Sequence, residues 1–459
     1  MRYRCEVQFP NHALTLMSVD SPRIGIVLSR LPPLLDARNI IEFIGRRSNI
    51  CIFLVSGDPA WFVDRGFEVR QTNAVERSLW NSFWSLMFLA FGRLPRSVNN
   101  YFLTALYGMA HLSVNRQRWL RWILRLRIGS PNFLSFDFFV RRLHTNDDCQ
   151  IDDIQSFFFF TETPCPFFFS RLVSSRKSII AYLHSWDHAC KQDTFSKAID
   201  RYLVWSQQFG TDLESLQGIK PDNIQIVGAS QFSFVHDYLS DPHNENLEPP
   251  YNVDYFLFAF ATFDPIQVRQ EIDLVRQIAT VMERIDPSLF LVLRLYPMRV
   301  NQELYNDLYD LRNVIVDREF RDSTDGLIMT EKEIDLKYTK IKSAKGLIHV
   351  GTTIGFEAAY FDTPVLQIGS SADFECSVEQ KDPLHLDRFI EAYQVNKYLL
   401  LESYPNVVNN LVELEAAMRG CLENPVDYLA YNHAVRSQVP VQSLETISHN
   451  IVQALENVA

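Results

Sequence analysis

Short apolar runs alternate along the chain with segments of helical period, the pattern of a parallel β-sheet covered by helices. Arg23–Leu28 and Ile50–Val55 predict buried strands, and the helical pattern Leu35–Arg47 lies between them. Strand, helix and strand in this order form a βαβ unit of a doubly wound sheet. The same alternation returns further on, at Ser156–Thr161, Pro166–Ser178 and Ile179–Leu183. We therefore predict an α/β protein.

A polar segment, 236–252, separates this first series from a second one. It carries three prolines and has no apolar period, so we predict a linker. The second series contains these strands and helices: Tyr255–Ala261, Val268–Ile285, Leu289–Leu295, Asn313–Val316 and Asp335–Ser343. A chain of 459 residues is long for one core. We predict an N-terminal domain, 1–235, with a helical insertion at about 74–127, and a C-terminal domain, 253–459.

One stretch of the second half combines a strand, a tight turn and a helix that could bind phosphate. The apolar run Leu347–Val350 leads directly into Gly351, Thr352 and Thr353, where a helical pattern starts. A helix start offers backbone N–H groups without intrahelical partners and the positive end of the helix dipole. Glu357 lies about one turn further, in reach of a ribose. The pattern fits an ordinary βαβ turn with a threonine N-cap equally well.

This stretch resembles the donor-binding segment of GT-B glycosyltransferases and their relatives, which include UDP-N-acetylglucosamine 2-epimerases and CDP-glycerol glycerophosphotransferases. The residues that carry the likeness are Thr352-Thr353, Glu357-Ala358 and Asp362-Thr363-Pro364-Val365. Asp362-Thr363 departs from the Gly-Lys that is common in the family, which removes a basic residue. The resemblance implies a GT-B fold, in which two Rossmann-like domains face each other across a cleft. The C-terminal domain would hold a nucleotide donor and the N-terminal domain its acceptor.

Further likenesses extend this resemblance over roughly residues 155–458. The run His184-Ser185-Trp186-Asp187-His188 resembles the Ser-Trp-Asp-Asn element of surface-carbohydrate glycosyltransferases, with His188 in place of Asn. Because it follows a strand, it could line a cleft, although it could also be a strand end without chemistry. The resemblance implies that the first domain supplies a general base. The candidates are Asp187 and His188, with His184 behind them.

Arg294-Leu295-Tyr296-Pro297-Met298-Arg299 resembles the Arg-x-His-Pro element of the family, with Tyr296 in place of His. Arg294 and Arg299 would be cations for a diphosphate, although plain surface arginines would need no such role. Thr262, in the turn after a strand, could also approach a phosphate. The sequence has no zinc-ligand pattern and no suitably placed DxD-like pair. We therefore expect no metal and no cofactor, with a nucleotide sugar as co-substrate.

The net charge of −11 is unevenly distributed. Residues 1–150 hold 19 Arg, no Lys and 11 acidic residues, which suggests that this half meets an anionic partner. In segment 115–128, arginines alternate with tryptophan and leucine at helical spacing, as in a helix on an anionic membrane surface. A core helix with paired arginines fits equally well, and no nucleic-acid-binding module surrounds the segment. The residues proposed for the membrane are Arg118, Arg121, Trp122 and Arg125.

The seven cysteines are scattered and form no CxxC pair, which favours a reducing compartment. No apolar run approaches the ~20 residues that span a bilayer, and residues 1–20 lack a signal-peptide pattern. We expect a cytoplasmic protein, peripherally attached to the inner face of the cell membrane if segment 115–128 binds lipid.

The function that the resemblance implies is transfer of a sugar from a UDP- or CDP-type donor to a surface-polysaccharide or lipid-linked glycan acceptor. Polyol-phosphate transfer and sugar-nucleotide 2-epimerisation are alternatives within the same fold. A third alternative is a non-catalytic GT-B-like binding or scaffold protein. Tyr296, Ser230 and His188 keep it open, because each replaces a residue that is usual in the family.

Overall fold

A computed structural model describes residues 23–28, 35–55, 57–72, 79–81, 83–84, 87, 134–143, 149–160, 166–186, 195–261, 265–296, 302–317, 330–370, 373–377, 385–387, 390 and 398–457. The strands are β1 (Arg23–Leu28), β2 (Asn49–Leu54), β3 (Glu68–Gln71), β4 (Ser156–Phe159), β5 (Ser178–Tyr182), β6 (Arg201–Val204), β7 (Ile224–Ile226), β8 (Tyr255–Ala259), β9 (Phe290–Arg294), β10 (Val314–Val316), β11 (Gly346–His349), β12 (Val365–Ile368) and β13 (Val407–Val408). The α-helices are α1 (Leu35–Arg47), α2 (Ala60–Val63), α3 (Phe136–Val140), α4 (Pro166–Ser174), α5 (Gln207–Asp212), α6 (Ser233–Ser240), α7 (Pro265–Ile285), α8 (Glu331–Ser343), α9 (Thr353–Tyr360), α10 (Leu411–Glu423), α11 (Leu429–Arg436) and α12 (Leu444–Glu456).

The described strands form two parallel sheets. The first has seven strands in the order β3-β2-β1-β4-β5-β6-β7, and the second has six in the order β10-β9-β8-β11-β12-β13. Apolar runs such as β2 and β8 are buried along nearly their whole length, because helices cover both faces of a doubly wound sheet. The predicted class, an α/β protein with two doubly wound sheets, is confirmed.

Each sheet has one place where its strand order reverses. In the first sheet this place lies between β1 and β4, and in the second it lies between β8 and β11. Connections leave toward opposite faces there, so a crevice opens beyond the carboxyl ends of the strands. Residues that follow these strands, including the turn between β11 and α9, are therefore placed to meet a ligand.

The two sheets contact each other at these carboxyl edges. Trp186, which follows β5, donates its indole N–H to the hydroxyl of Thr353 at the start of α9, with 3.0 Å between Nε1 and Oγ1. The Trp186 ring also packs against Phe356, with the ring centroids 5.0 Å apart. The C-terminal helix α12 returns to the first sheet, where Asn450 donates to the carbonyl of Val227 at 3.2 Å. The turn between β11 and α9 and the segment that contains His184 are thus neighbours.

Several local features differ from the sequence expectations. The short strands β3 and β13 were not anticipated, because each lies at an edge where two to four residues carry little pattern. Helix α6 extends into the predicted linker 236–252, since apolar positions on it are buried and Tyr238 packs against Tyr338 of α8. Asp58 accepts the backbone N–H of Ala60 at 2.9 Å and so forms part of the turn after β2. Residues 1–22 and segment 115–128 lie outside the described residues.

Candidate functional site

A buried carboxylate and a histidine meet at the carboxyl edge of the first sheet. Asp36 lies in the first turn of α1, and His184 follows β5. The Nε2 atom of His184 lies 2.9 Å from Oδ2 of Asp36, whose side chain is 2% exposed, against 13% for the histidine. A carboxylate accepts the proton that Nε2 carries, so Nδ1 is left as the basic nitrogen. Gln231 Nε2 lies 3.4 Å from Nδ1, which is long for a hydrogen bond.

Several polar groups keep Asp36 ionised. The Ser230 hydroxyl donates to the same Oδ2 atom, and the Tyr182 hydroxyl accepts the Ser230 backbone N–H at 2.9 Å. Burial by itself would raise the pKa of the Asp36 carboxyl. His184 and the hydrogen bonds from His184, Ser230 and the Ala37 backbone outweigh burial and hold that pKa below its usual range. A fixed carboxylate behind an imidazole orients the ring and stabilises its protonated form.

The turn between β11 and α9 is the second part of the site. Gly351 has a φ of +119°, which only glycine adopts readily. The backbone N–H groups of Gly351 and Thr352 donate to Nδ1 of His349, at 3.1 and 3.2 Å. These two N–H groups therefore point toward the buried imidazole, so the phosphate-binding N–H groups that the sequence suggested do not include them. Thr352 is the N-cap residue of α9 and has extended backbone, as the threonine N-cap alternative expects, although its side chain makes no capping hydrogen bond to the helix.

Two buried ion pairs involve lysines of α8, and one of them includes Glu357 of α9. Lys337 of α8 donates to Oε1 of Glu357 at 2.6 Å, and Lys340 donates to both oxygens of Asp317 at 2.9 and 3.0 Å. Burial lowers the pKa of the Lys337 ammonium; the Glu357 carboxylate opposes this shift and the charge of Arg294 adds to it. Burial likewise lowers the pKa of the Arg294 guanidinium, against Glu357 and Asp317. Among these five described groups three are cationic and two anionic, which favours an anionic ligand nearby.

The structure places some of the predicted site residues and leaves others outside its described part. Those that it places are His184, Arg294, Gly351, Thr352, Thr353 and Glu357. Those outside the described residues are Asp187, His188, Thr262, Arg299, Arg118, Arg121, Trp122 and Arg125. Glu357 is buried against Lys337, a partner that the sequence did not reveal.

Sequence reasoning missed Asp36, Lys337 and His349. An aspartate in the first turn of a helix is common for dipole reasons alone, so Asp36 gave no distinct signal. Lys337 lies in a helix of strongly polar composition, where a solvated lysine is the usual expectation. His349 ends an apolar strand, and nothing in its spacing points to the turn that it holds.

Comparisons with known proteins give a fold and no family. No protein-family model matches the chain, and no curated protein matches it in sequence. Among solved structures, Staphylococcus aureus MnaA with UDP is 10% identical, with 95% of this chain and 98% of that chain covered, at a TM-score of 0.50. A glycosyltransferase from Rickettsia africae is 10% identical, with 96% and 99% covered, at 0.44. A UDP-GlcNAc 2-epimerase from Methanocaldococcus jannaschii is 9% identical, with 95% and 99% covered, at 0.47. The chain has the GT-B fold.

The first testable prediction concerns pH. Burial lowers the pKa of His349 to about 3, whereas an unfolded histidine titrates near 6.5. Between these values only the unfolded chain binds the proton, so the free energy of unfolding should fall as the pH falls, by up to about 1.4 kcal/mol per pH unit. Urea unfolding at pH 7.5, 6.0 and 5.0 measures this slope. His349→Asn should show a slope smaller by about that amount, and equal slopes would contradict the prediction.

Proposed function

We propose that this protein is a metal-independent glycosyltransferase that moves a sugar from a nucleotide-sugar donor to a glycan or lipid-linked acceptor. The observation that carries the proposal is the contact between Trp186 and Thr353. This hydrogen bond joins the turn between β11 and α9, which we take to bind the donor and call the donor turn, to the segment that bears His184. Nε2 of His184 contacts Asp36, which leaves Nδ1 as its basic atom. A general base and an anion-binding turn then share one cleft, as transfer to a hydroxyl requires.

In this reaction His184 takes the proton of the acceptor hydroxyl on Nδ1 while the hydroxyl oxygen forms a bond to the anomeric carbon. The bond between that carbon and the donor diphosphate breaks, and the diphosphate leaves with its electron pair. Asp36 stabilises the imidazolium that forms. The departing diphosphate is stabilised by the hydroxyls of Thr352 and Thr353, by the dipole of α9 and by the charge of Arg294. With these groups the proposed reaction requires no metal ion.

UDP is our first choice of donor nucleotide, because S. aureus MnaA, the structural neighbour with a TM-score of 0.50, was determined with UDP. A CDP-type donor is the second choice. Thermal-shift assays with UDP-, CDP-, GDP- and CMP-activated donors test this order, followed by turnover measurements on those that bind. No stabilisation by any donor, from a well-folded protein, would favour the scaffold alternative.

Sugar-nucleotide 2-epimerisation is the second candidate, because a base beside a bound donor can also remove the proton at C2 of the sugar. The two reactions differ in what they need and leave behind. An epimerase converts a UDP-N-acetyl sugar without any acceptor and introduces deuterium at C2 in heavy water. A transferase needs the acceptor and leaves the C2 proton in place. Mass spectrometry of the recovered sugar nucleotide in heavy water therefore separates them.

The acceptor side of the proposal includes attachment to an anionic membrane surface. No helix among the described residues is long and apolar enough to cross a bilayer. An aromatic patch in the N-terminal half of the chain consists of Trp80, Phe83, Trp84 and Phe138. Trp80 is 44% exposed and Phe83 50%. Arg142 stacks on Phe138, with 4.8 Å between its guanidinium carbon and the ring centroid. Exposed aromatic rings beside arginines suit the headgroup region of a lipid surface.

We expect salt-sensitive co-sedimentation with anionic liposomes and none with neutral ones. Each basic residue near the surface adds about 1 kcal/mol, and salt screens this attraction. Changing Arg118, Arg121 and Arg125 to Glu should abolish binding. Reversing three exposed charges of the second half, Arg312, Lys332 and Lys342, is the matched control and should leave it unchanged. A folded wild type that binds neither liposome would remove the membrane from the proposal and indicate a soluble acceptor.

A further inference from the structure

His349 holds the donor turn from inside the second sheet. Its side chain is fully buried at the end of β11, and Nδ1 accepts the N–H groups of both Gly351 and Thr352. A nitrogen that accepts two hydrogen bonds carries no proton, so the ring is the neutral tautomer with its proton on Nε2. Among the described residues, Nε2 has no hydrogen-bond partner. Burying that N–H without a partner costs free energy. The polar contacts of the ring are those that Nδ1 makes with the turn.

Gly355 completes this arrangement. It lies in the first turns of α9, and a Cβ atom added to it would come within 2.4 Å of Cε1 and 2.5 Å of Nε2 of His349. The imidazole therefore occupies the volume that any larger residue at this position would need. Since the ring contacts α9 on one side and the turn N–H groups on the other, it sets the position of the turn relative to the helix.

Thr353 shows why that position matters. Its hydroxyl oxygen accepts the indole N–H of Trp186, and a hydroxyl has one proton of its own to donate. The indole occupies one lone pair, which leaves the proton free to turn toward an anion in the cleft. With the N–H groups of Gly351 and Thr352 bound to His349, this turn offers a phosphate its threonine hydroxyls and the start of α9.

We propose that His349 is a positioning residue: it draws the Gly351 and Thr352 N–H groups inward, so that the donor diphosphate is bound by the hydroxyls of Thr352 and Thr353 and by the start of α9. This inference rests on the proposed function for its ligand. The ordering of the turn by His349 depends only on the hydrogen bonds that Nδ1 accepts from Gly351 and Thr352. The two parts can therefore be tested separately.

Three substitutions of His349 distinguish its role as a hydrogen-bond acceptor from its role in filling volume. In His349→Asn the side-chain oxygen can take the place of Nδ1, whereas His349→Gln carries its oxygen one carbon further. His349→Leu keeps apolar volume and removes the acceptor. Hydrogen exchange at the Gly351 and Thr352 amides measures how well the turn is ordered in the absence of ligand. Calorimetric titration measures the affinity for UDP. We expect Asn to retain protection and to bind UDP within about threefold of wild type, and Leu and Gln to lose protection and bind about tenfold more weakly.

A second pair of variants covers the case in which His349→Leu fails to fold. Gly355→Ala alone should displace the ring and weaken UDP binding, because its Cβ meets the imidazole. In the double variant His349→Asn/Gly355→Ala the ring atoms that it would meet are gone, so binding should return to within about threefold of wild type. A purely structural role would lower the melting temperature of these variants and leave the UDP affinity of the folded protein unchanged.

The outcomes decide both parts. Wild-type amide protection in a folded His349→Leu or His349→Gln variant would overturn the role of His349 in the turn. Lost protection with unchanged UDP affinity would overturn its role in donor binding. If the wild type binds no UDP at all, the proposed donor is wrong, and the exchange data alone then confirm or overturn the ordering of the turn by His349.

Discussion

Replacing His184 with glutamine is expected to lower kcat by about 10²–10⁴-fold, the usual contribution of a positioned general base. UDP affinity should stay nearly unchanged, because the proposed donor site lies on the second sheet. The imidazole is the more exposed group of this pair, at 13% against 2% for Asp36. Steady-state turnover with the donor found in the screen, together with calorimetry on UDP, measures the two quantities in the same variant.

Asp36→Asn tests the contribution of the carboxylate that orients His184. An asparagine amide can donate to Nε2, which reverses the tautomer and places the proton on Nδ1, the nitrogen that must accept. We therefore expect a loss of kcat in the range found for His184→Gln. His236→Gln, on a half-exposed histidine of α6, is the matched control and should keep wild-type rates. Parallel losses of rate and UDP affinity in His184→Gln would move this residue to the donor site, and an unchanged rate would remove it from catalysis.

Lys337→Met is expected to destabilise the protein by about 3–5 kcal/mol, because the buried Glu357 carboxylate loses the ammonium that donates to it. The side chains of both residues are only 9% exposed, and 2.6 Å separates Lys337 Nζ from Glu357 Oε1. In the double variant Lys337→Met/Glu357→Leu no charge of the pair remains, so most of the stability should return. UDP binding should not return, since the carboxylate proposed to accept the ribose hydroxyls is gone. Urea unfolding and UDP calorimetry on both variants measure the two effects.

Lys332→Met is the control on the same helix, because Lys332 is exposed at the start of α8. Surface substitutions of this kind usually change stability by less than about 0.5 kcal/mol. A loss at Lys337 no larger than at Lys332 would show that the buried pair contributes no stability. UDP binding restored along with stability in the double variant would show that Glu357 does not contact the donor.

Local patterns in the sequence determined most of the fold. β1 and α1 span the residues that their apolar periods predict, because a buried parallel strand and an amphipathic helix leave different repeats over six to thirteen residues. The order of strands and helices then limits the topology to doubly wound sheets. The sequence also predicted the tight turn at Gly351, where the positive φ favours glycine. The edge strand β13, with two residues, was too short to carry a period.

Only the tertiary structure decided which side chains meet. Asp36 and His184 are 148 positions apart, yet they share a hydrogen bond because β1 and β5 end at the same edge of one sheet. The bond between Trp186 and Thr353 spans 167 positions and two sheets. A hydrophobic period reports whether a residue faces a core, and it carries no information about which distant polar group lies opposite. The inward direction of the Gly351 and Thr352 N–H groups was hidden for the same reason, because it depends on the ring of His349 and on the space that Gly355 leaves for it.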